Sequence, residues 1–330
     1  MWNEISQWCH QWRDTQPFSF WVFVIGCAVS VMWIISFFQF LRYAFSSSEL
    51  SKMIQKYGRG SYAIITGCTE GIGKAFAEEL ASLGFNLILI SRNNSKLDSL
   101  KSSINKRIPS CLIEIYAADF TTDVELSQFK VLADKFSHLD VSLLVNNVGV
   151  DSIERFDEVP EKTIIDLMNI NLYPLTFLSR EILAKMSKRG EGKQSSMITI
   201  SSQAGLLPMH HFNVYSGTKA FGDMLSRCLA REYKSSHLSF LSVCPSKVST
   251  HMNNYKPEDI FTVSAADCAR GALSDLLRGY SRTEGALKHK LQALLIRTIP
   301  RVFQFVWEFR ELHVIRKERG LPRAKIYFDQ

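Results

Sequence analysis

A tyrosine and a lysine four residues apart, Tyr215 and Lys219, follow Ser202 at an interval of thirteen residues from serine to tyrosine. Positions i and i+4 share one face of a helix, so the Lys219 ammonium can sit beneath the Tyr215 phenol. A free phenol titrates near pH ~10, too high for efficient proton transfer at neutral pH. A fixed cation favours the phenolate and moves the group toward a working range. The pair is therefore a candidate proton donor and acceptor. The same spacing also arises by chance on exposed helices, so its meaning depends on what comes before it.

What comes before it is a glycine-rich turn. Residues 62–73 read YAIITGCTEGIG: an apolar run of strand type from Tyr62 to Thr66, stopped by Gly67. Gly71 and Gly73 then open KAFAEELASLG, where Ala75, Phe76, Leu80 and Leu83 recur at helical spacing. Strand, glycine turn and helix together form a phosphate-binding context. Gly67 permits a sharp turn, Gly71 lets the backbone approach a pyrophosphate, and Gly73 lets the helix pack close to the strand. The helix N-terminus offers free N–H groups and the positive end of its dipole.

The second strand-like run, Asn86–Ser91, ends in Arg92, and no carboxylate follows at residues 91–94. An acidic residue there would hold a ribose 2′-hydroxyl, whereas the planar donor fork of Arg92 suits a 2′-phosphate. The reading is NADP(H), with Glu70 inside the glycine turn as an argument against it. Asp119 closes a third run and either touches an adenine edge or caps the helix that follows.

These residues assemble into a resemblance. TGCTEGIG, NNVG at Asn146–Gly149, ITISS at Ile198–Ser202, YSGTK at 215–219 and the later Pro245 resemble the short-chain dehydrogenase/reductase family in order and spacing. TGCTEGIGKAFAEELASLG, LISRN, LVNNVG, MNINL and SRTEG look like its membrane-bound branch of very-long-chain 3-oxoacyl-CoA reductases and 17β-hydroxysteroid dehydrogenases. The resemblance implies that Tyr215 is the general acid in ketone reduction and that Lys219 lowers its pKa and binds the nicotinamide ribose. It implies that Ser202 hydrogen-bonds the substrate carbonyl and that Asn171 holds a proton-relay water. Asn169 and Ser201 are the competing choices for those last two roles. Asn146 and Asn147 brace the central strand and line the adenosine ribose. Thr69 and Ile72 in the glycine turn join the cofactor set, as do Pro245, Val248 and Thr250, the last two as candidates for contacts to the nicotinamide carboxamide and phosphates. The family often has glycine where this chain has Ser246, which leaves the loop's conformation open.

Apolar runs at 62–66, 86–91, 111–119, 141–146, 195–201 and 239–244 alternate with helical stretches. That alternation predicts a doubly wound parallel sheet, a Rossmann fold, with ligands beyond the carboxyl ends of its strands. Gly67, Asn147, Ser202 and Pro245 all fall at or just after strand ends.

The accessories frame this body. Phe18–Leu41 is uncharged and dense in Phe, Trp, Val and Ile, long enough to cross a hydrocarbon core of ~30 Å. Trp21 and Tyr43 are placed as interfacial aromatics. Arg42, Lys52, Lys56 and Arg59 follow the segment and face one Glu49, which puts the body in the cytosol by the positive-inside rule. The expected division is a lumenal stub at 1–17, a transmembrane helix at 18–41, a linker at 42–59, a catalytic domain at 60–285 and a C-terminal extension at 286–330. Of the net charge of +7, the extension carries +6, from ten Lys/Arg and four Asp/Glu, so the remainder is nearly neutral. With no nucleic-acid module in view, an anionic membrane surface is the better partner. Leu287, Leu291, Leu294, Leu295, Ile299, Val302, Phe303 and Val306 recur at three or four residues. The segment either lies on a membrane, kinked at Pro300, or packs on the domain and roofs the substrate cleft. Seven cysteines without a C-x-x-C pair argue against a disulfide framework or a zinc site.

Three functions compete. The favoured one is NADPH-dependent reduction of a very-long-chain 3-oxoacyl-CoA at the endoplasmic reticulum, a location that rests on the resemblance alone. The second is 17β-hydroxysteroid dehydrogenation, and the third is a catalytically silent membrane scaffold, which the intact Ser–Tyr–Lys set opposes. The expected partners are a lipophilic ketone and a membrane, with a homodimer left open.

Overall fold

The computed structural model describes residues 2–45, 50–121, 125–190, 192–253, 255, 257–298, 313–314 and 316–317. It divides into two units, Met1–Ser48 and Glu49–Gln330.

The first unit is helical. The expected stub is helix α1 (Trp2–Thr15), and α2 (Pro17–Phe45) is longer than the expected 18–41 segment. Within α2, Pro17–Ile35 has a mean hydropathy of 2.3 and none of it is buried inside the chain. Its length and composition suffice to cross a membrane. A helix of a soluble core would instead bury such a surface.

The expected linker at 42–59 contains helix α3 (Lys52–Tyr57), whose Met53 and Tyr57 are fully buried in the main core. Burial pushes the Tyr57 phenol up to about 12, and its backbone carbonyl accepts from Arg189 Nη2 at 3.1 Å. Six residues show too little periodicity to be read as a helix, which is why the segment passes for a tether.

Strands and helices then alternate: β1 (Tyr62–Thr66), α4 (Gly71–Ser82), β2 (Asn86–Ser91), α5 (Asn94–Arg107), β3 (Ile113–Ala117), α6 (Ser127–Lys135) and β4 (Val141–Asn146). Next come α7 (Glu161–Asn171), α8 (Ser179–Met186), β5 (Ser195–Ile200), α9 (Asn213–Glu232) and β6 (Leu238–Val243). The chain continues through β7 (Lys247–Val248), β8 (Thr262–Val263), α10 (Ala265–Leu277), β9 (Arg282–Thr283) and α11 (Leu287–Thr298).

The main sheet has the order β3-β2-β1-β4-β5-β6-β9, and every pairing is parallel. Successive strand residues point to opposite faces. Ala63, Ile65, Leu87, Leu89, Leu143 and Val145 thus pack with α4, α5 and α10, while Ile64, Ile88, Ile90, Leu144 and Met197 pack with α6 and α8. A sheet covered on both sides needs strands that are apolar at every position, and β1 and β4 are buried throughout. That makes them legible as apolar runs.

Three expected strands differ at their ends. β3 spans 113–117 rather than 111–119, β5 stops at Ile200, and β6 runs one residue earlier than expected. The two-residue elements β7, β8 and β9 have no period to detect, and the sequence reading lacks them.

Candidate active site

The order of strands reverses between β1 and β4, and ligands in such sheets bind in the crevice at that point. Gly67 follows β1 with φ +62°, and Gly71 has φ +56°, a region that favours glycine. A Cβ on Gly73 would meet the carbonyl oxygen of Gly67 and the side-chain amide of Asn147, both at 2.4 Å. Gly73 thus allows the close approach of helix to strand that its position suggests. A Cβ on Gly71 would meet the Thr250 methyl at 2.9 Å, so the two segments expected to hold phosphates lie against each other.

Asn147 spends its side-chain N–H groups on the carbonyls of Thr66 (3.0 Å) and Gly67 (2.9 Å), locking the turn in place. The Thr66 hydroxyl accepts from the backbone N–H of Asn147 and of Val148. Thr69 hydrogen-bonds Ser91 at the end of β2, at 3.1 Å between hydroxyls, and Ile72 packs partly buried against the core.

Arg92 is exposed beyond β2. Glu70, the argument against a phosphate here, is paired to Lys96. Its carboxyl is held below the usual range chiefly by that hydrogen bond, with further help from the charges of Lys96, His251 and Arg92. Arg92 and Lys96 thus place two cations near the turn. Lys96 was missed in the sequence, although it lies four residues after Arg92. Asp119 accepts from the Thr121 backbone N–H at 2.9 Å and from its hydroxyl at 2.7 Å, which lowers its pKa. It closes a local turn and does not cap α6, which begins at Ser127.

Tyr215 and Lys219 share one face of α9, and both are buried. The ammonium lies 5.7 Å from the centre of the phenol ring and donates to the Ile200 carbonyl at 3.0 Å. Burial pulls Lys219 down to about 8, while the negative charge of Asp151 pulls the other way. Asp151, on the loop after β4, is a second residue the sequence reading missed.

The structure separates the two serines. Ser201 is buried and its hydroxyl donates to the Lys219 carbonyl at 2.7 Å, fastening β5 to α9. Ser202 is only partly buried, and its Oγ accepts from the Ala204 N–H at 3.1 Å. The turn after it packs directly on α9, because a Cβ on Gly205 would meet the Lys219 carbonyl carbon at 2.6 Å. That contact holds Ser202 beside the Tyr215–Lys219 turn.

Asn171, at the end of α7, is buried. It accepts from Val150 N–H (2.8 Å) and donates to the Val150 carbonyl (2.9 Å) and to Thr218 Oγ1 (3.0 Å). Asn169 is only partly buried on the same helix. Asn146, Asn171, Thr218 and Lys219 line a cavity of about 10 Å³, the size of one water. Asn146 donates to Ser179 at 2.8 Å, and among the described residues its Oδ1 has no hydrogen-bond partner.

Pro245 and Val248 are buried in the loop after β6, and the Pro245 carbonyl accepts from Gln203 N–H at 3.0 Å. That bond ties the loop to the Ser202 turn. Ile153, Phe212 and Tyr215 belong to a small apolar cluster. His211, whose pKa burial lowers, accepts from Arg316 at 3.2 Å, and Arg316 also donates to the Ile153 carbonyl at 3.1 Å. The C-terminal extension therefore does pack on the domain. Ala286 just before α11 is buried, as are His289 and Ala293 within it, while Leu287 and Leu291 are exposed. The rest of the amphipathic pattern, including Pro300, lies outside the described residues.

A doubly wound parallel sheet with a glycine cradle at its switch point and a buried phenol–ammonium pair beside it defines a Rossmann-fold oxidoreductase. The chain belongs to the short chain dehydrogenase family, whose profile matches residues 61–260, and it acts on the alcohol–ketone pair. Among its relatives, a very-long-chain 3-oxoacyl-CoA reductase of Caenorhabditis elegans is 34% identical over 252 residues, 75% of this chain and 78% of that one. The mouse very-long-chain 3-oxoacyl-CoA reductase is 35% identical, covering 74% and 78%. A Caenorhabditis elegans protein named putative steroid dehydrogenase 3 is 32% identical, covering 76% and 79%. Among solved structures, a Sphingobium yanoikuyae short-chain dehydrogenase in complex with NADPH superposes with a TM-score of 0.61 at 24% identity, covering 68% and 87%. At that identity the likeness establishes the fold.

Proposed function

We propose that this chain uses NADP(H) to reduce a very-long-chain 3-oxoacyl-CoA to the 3-hydroxy product, anchored by α2 in the endoplasmic reticulum membrane with its catalytic body in the cytosol. The observation that carries the reading is the buried Tyr215–Lys219 face held against the Ser202 turn, beside a glycine turn in which a Cβ at Gly67, Gly71 or Gly73 would come within 3.0 Å of a neighbouring atom. The names of the relatives support the substrate. The basic residues after α2 support the orientation.

Bound NADP(H) supplies the hydride that reaches the carbonyl carbon. The chain's own residues then deal with the charge that develops on oxygen. Ser202 donates a hydrogen bond to it, and Tyr215 gives it the phenolic proton. Lys219 stabilises the phenolate left behind, and its low pKa keeps it close to exchange at neutral pH. The water-sized cavity between Lys219 and Asn171 supports a relay that returns the proton.

Arg92, with Lys96 beside it, is assigned to the adenosine 2′-phosphate. Arg92→Asp should raise the KM for NADPH by about 10- to 100-fold, the equivalent of one or two charge-assisted bonds, and leave that for NADH nearly unchanged. An equal effect on both cofactors would remove Arg92 from the role.

The whole chain in membranes, assayed for NADPH oxidation with a long 3-oxoacyl-CoA and with a 17-ketosteroid, tests the substrate. Turnover of the thioester alone is expected. Turnover of the steroid alone would replace the substrate with that of a steroid dehydrogenase, and loss of NADPH binding would sink the enzymatic reading.

A further inference from the structure

His289 is fully buried on α11, beyond the residues that match the family, and the catalytic reading gives it no task. Both of its ring nitrogens are used. Ser246 N–H donates to Nδ1 at 3.3 Å, so Nε2 carries the proton, and that N–H reaches the Lys247 carbonyl at 3.0 Å. Burial lowers the imidazole pKa, while the carbonyls of Lys247, Phe261 and Glu284 oppose the shift. A neutral ring is the form that can accept on one side and donate on the other.

The two bonds fall on the one loop whose conformation the sequence left open. Ser246 stands where the family resemblance implies glycine, yet it is not among the described residues with positive φ. The loop is instead fixed from outside. Gln203 holds the Pro245 carbonyl, β7 pairs with β8, Ser249 N–H reaches the Val263 carbonyl, and His289 holds the turn between them. The ring rides on a helix that is itself anchored, through Lys290 to Asp275 and through Gln292 to the Ile260 carbonyl at 2.8 Å.

We propose that His289 is a positioning residue for the cofactor: it sets the Ser246–Lys247 turn so that Pro245, Val248 and Thr250 meet the nicotinamide end of NADP(H). The C-terminal helix is thereby part of the hydride-transfer site. This inference rests on the NADP(H) reading.

The test uses the full chain in detergent micelles, with His289→Leu, which keeps bulk and loses both bonds. His289→Asn retains the acceptor near Nδ1, and His289→Gln retains the donor near Nε2. Binding of NADPH is compared with that of adenosine 2′,5′-bisphosphate, which has the adenosine end and no nicotinamide. His289→Leu should raise the KM for NADPH about tenfold, the worth of a well-made hydrogen bond or two, and lower kcat. The Asn and Gln variants should fall between it and the parent, with bisphosphate affinity unchanged in all three. If His289→Leu does not fold, the Asn and Gln variants decide by the same comparison. NADPH KM and kcat within twofold of the parent in the folded variants would overturn the proposal, and so would equal weakening of both ligands. A parent chain that binds neither ligand would instead overturn the NADP(H) reading beneath it.

Discussion

Tyr215→Phe should lower ketone reduction by about 10²- to 10⁴-fold, the usual contribution of a positioned general acid, while NADPH affinity stays within about twofold. The expectation follows from how little else the change removes. The Tyr215 ring packs against Phe212 at 5.9 Å between centroids, within the cluster of Ile153, Leu167 and Ala204, and a phenylalanine fills that space. Lys219 keeps its bond to the Ile200 carbonyl, and Ser201 keeps its bond to the Lys219 carbonyl. What the change removes is the phenolic proton that the proposed mechanism assigns to Tyr215. Fluorescence titration with NADPH and single-turnover kinetics separate the two effects. Activity within threefold of the parent would show that another group supplies the proton.

The parts of this site that were legible in the sequence share a physical reason. β1, β2, β4 and β5 are buried along most or all of their length, so their core stretches read as mainly apolar runs that end at glycine, serine or asparagine. Site residues that sit at those ends inherit their positions from the runs, as Gly67, Asn147 and Ser202 do. The thirteen-residue interval to Tyr215 favours Ser202 over Ser201, and in the structure Ser201 is buried with its hydroxyl donating to the Lys219 carbonyl. What escaped was non-local. His289 meets Ser246 across 43 residues, and Lys96 meets Glu70 across 26, separations that no local pattern encodes. The helix α3 escaped because only Met53 and Tyr57 mark its buried face. Asp151 follows a recognisable motif but gains its meaning only from the Lys219 charge beside it.

Asp275→Asn should destabilise the second unit by about 3–5 kcal/mol, the cost of removing one charge from a buried ion pair. Asp275 is fully buried on α10, and its carboxylate accepts from Thr283 Oγ1 on β9 and from Lys290 Nζ on α11, with Arg278 Nη1 at 3.5 Å. One side chain thus fastens three elements. Burial lowers the pKa of Lys290 and the charges of Asp275 and Glu284 oppose that shift, so removing the Asp275 charge takes away the larger of the two compensations. Thr283 in turn accepts from Gly285 N–H at 2.9 Å, which orients the start of α11. A fall in melting temperature on the order of 10 °C is expected by circular dichroism for a body of this size. Because α11 also carries His289, the loosened helix should raise the KM for NADPH in the same variant. A melting temperature within 2 °C of the parent, a bound set by the size of that expected shift, would show that water or a rearranged partner replaces the carboxylate.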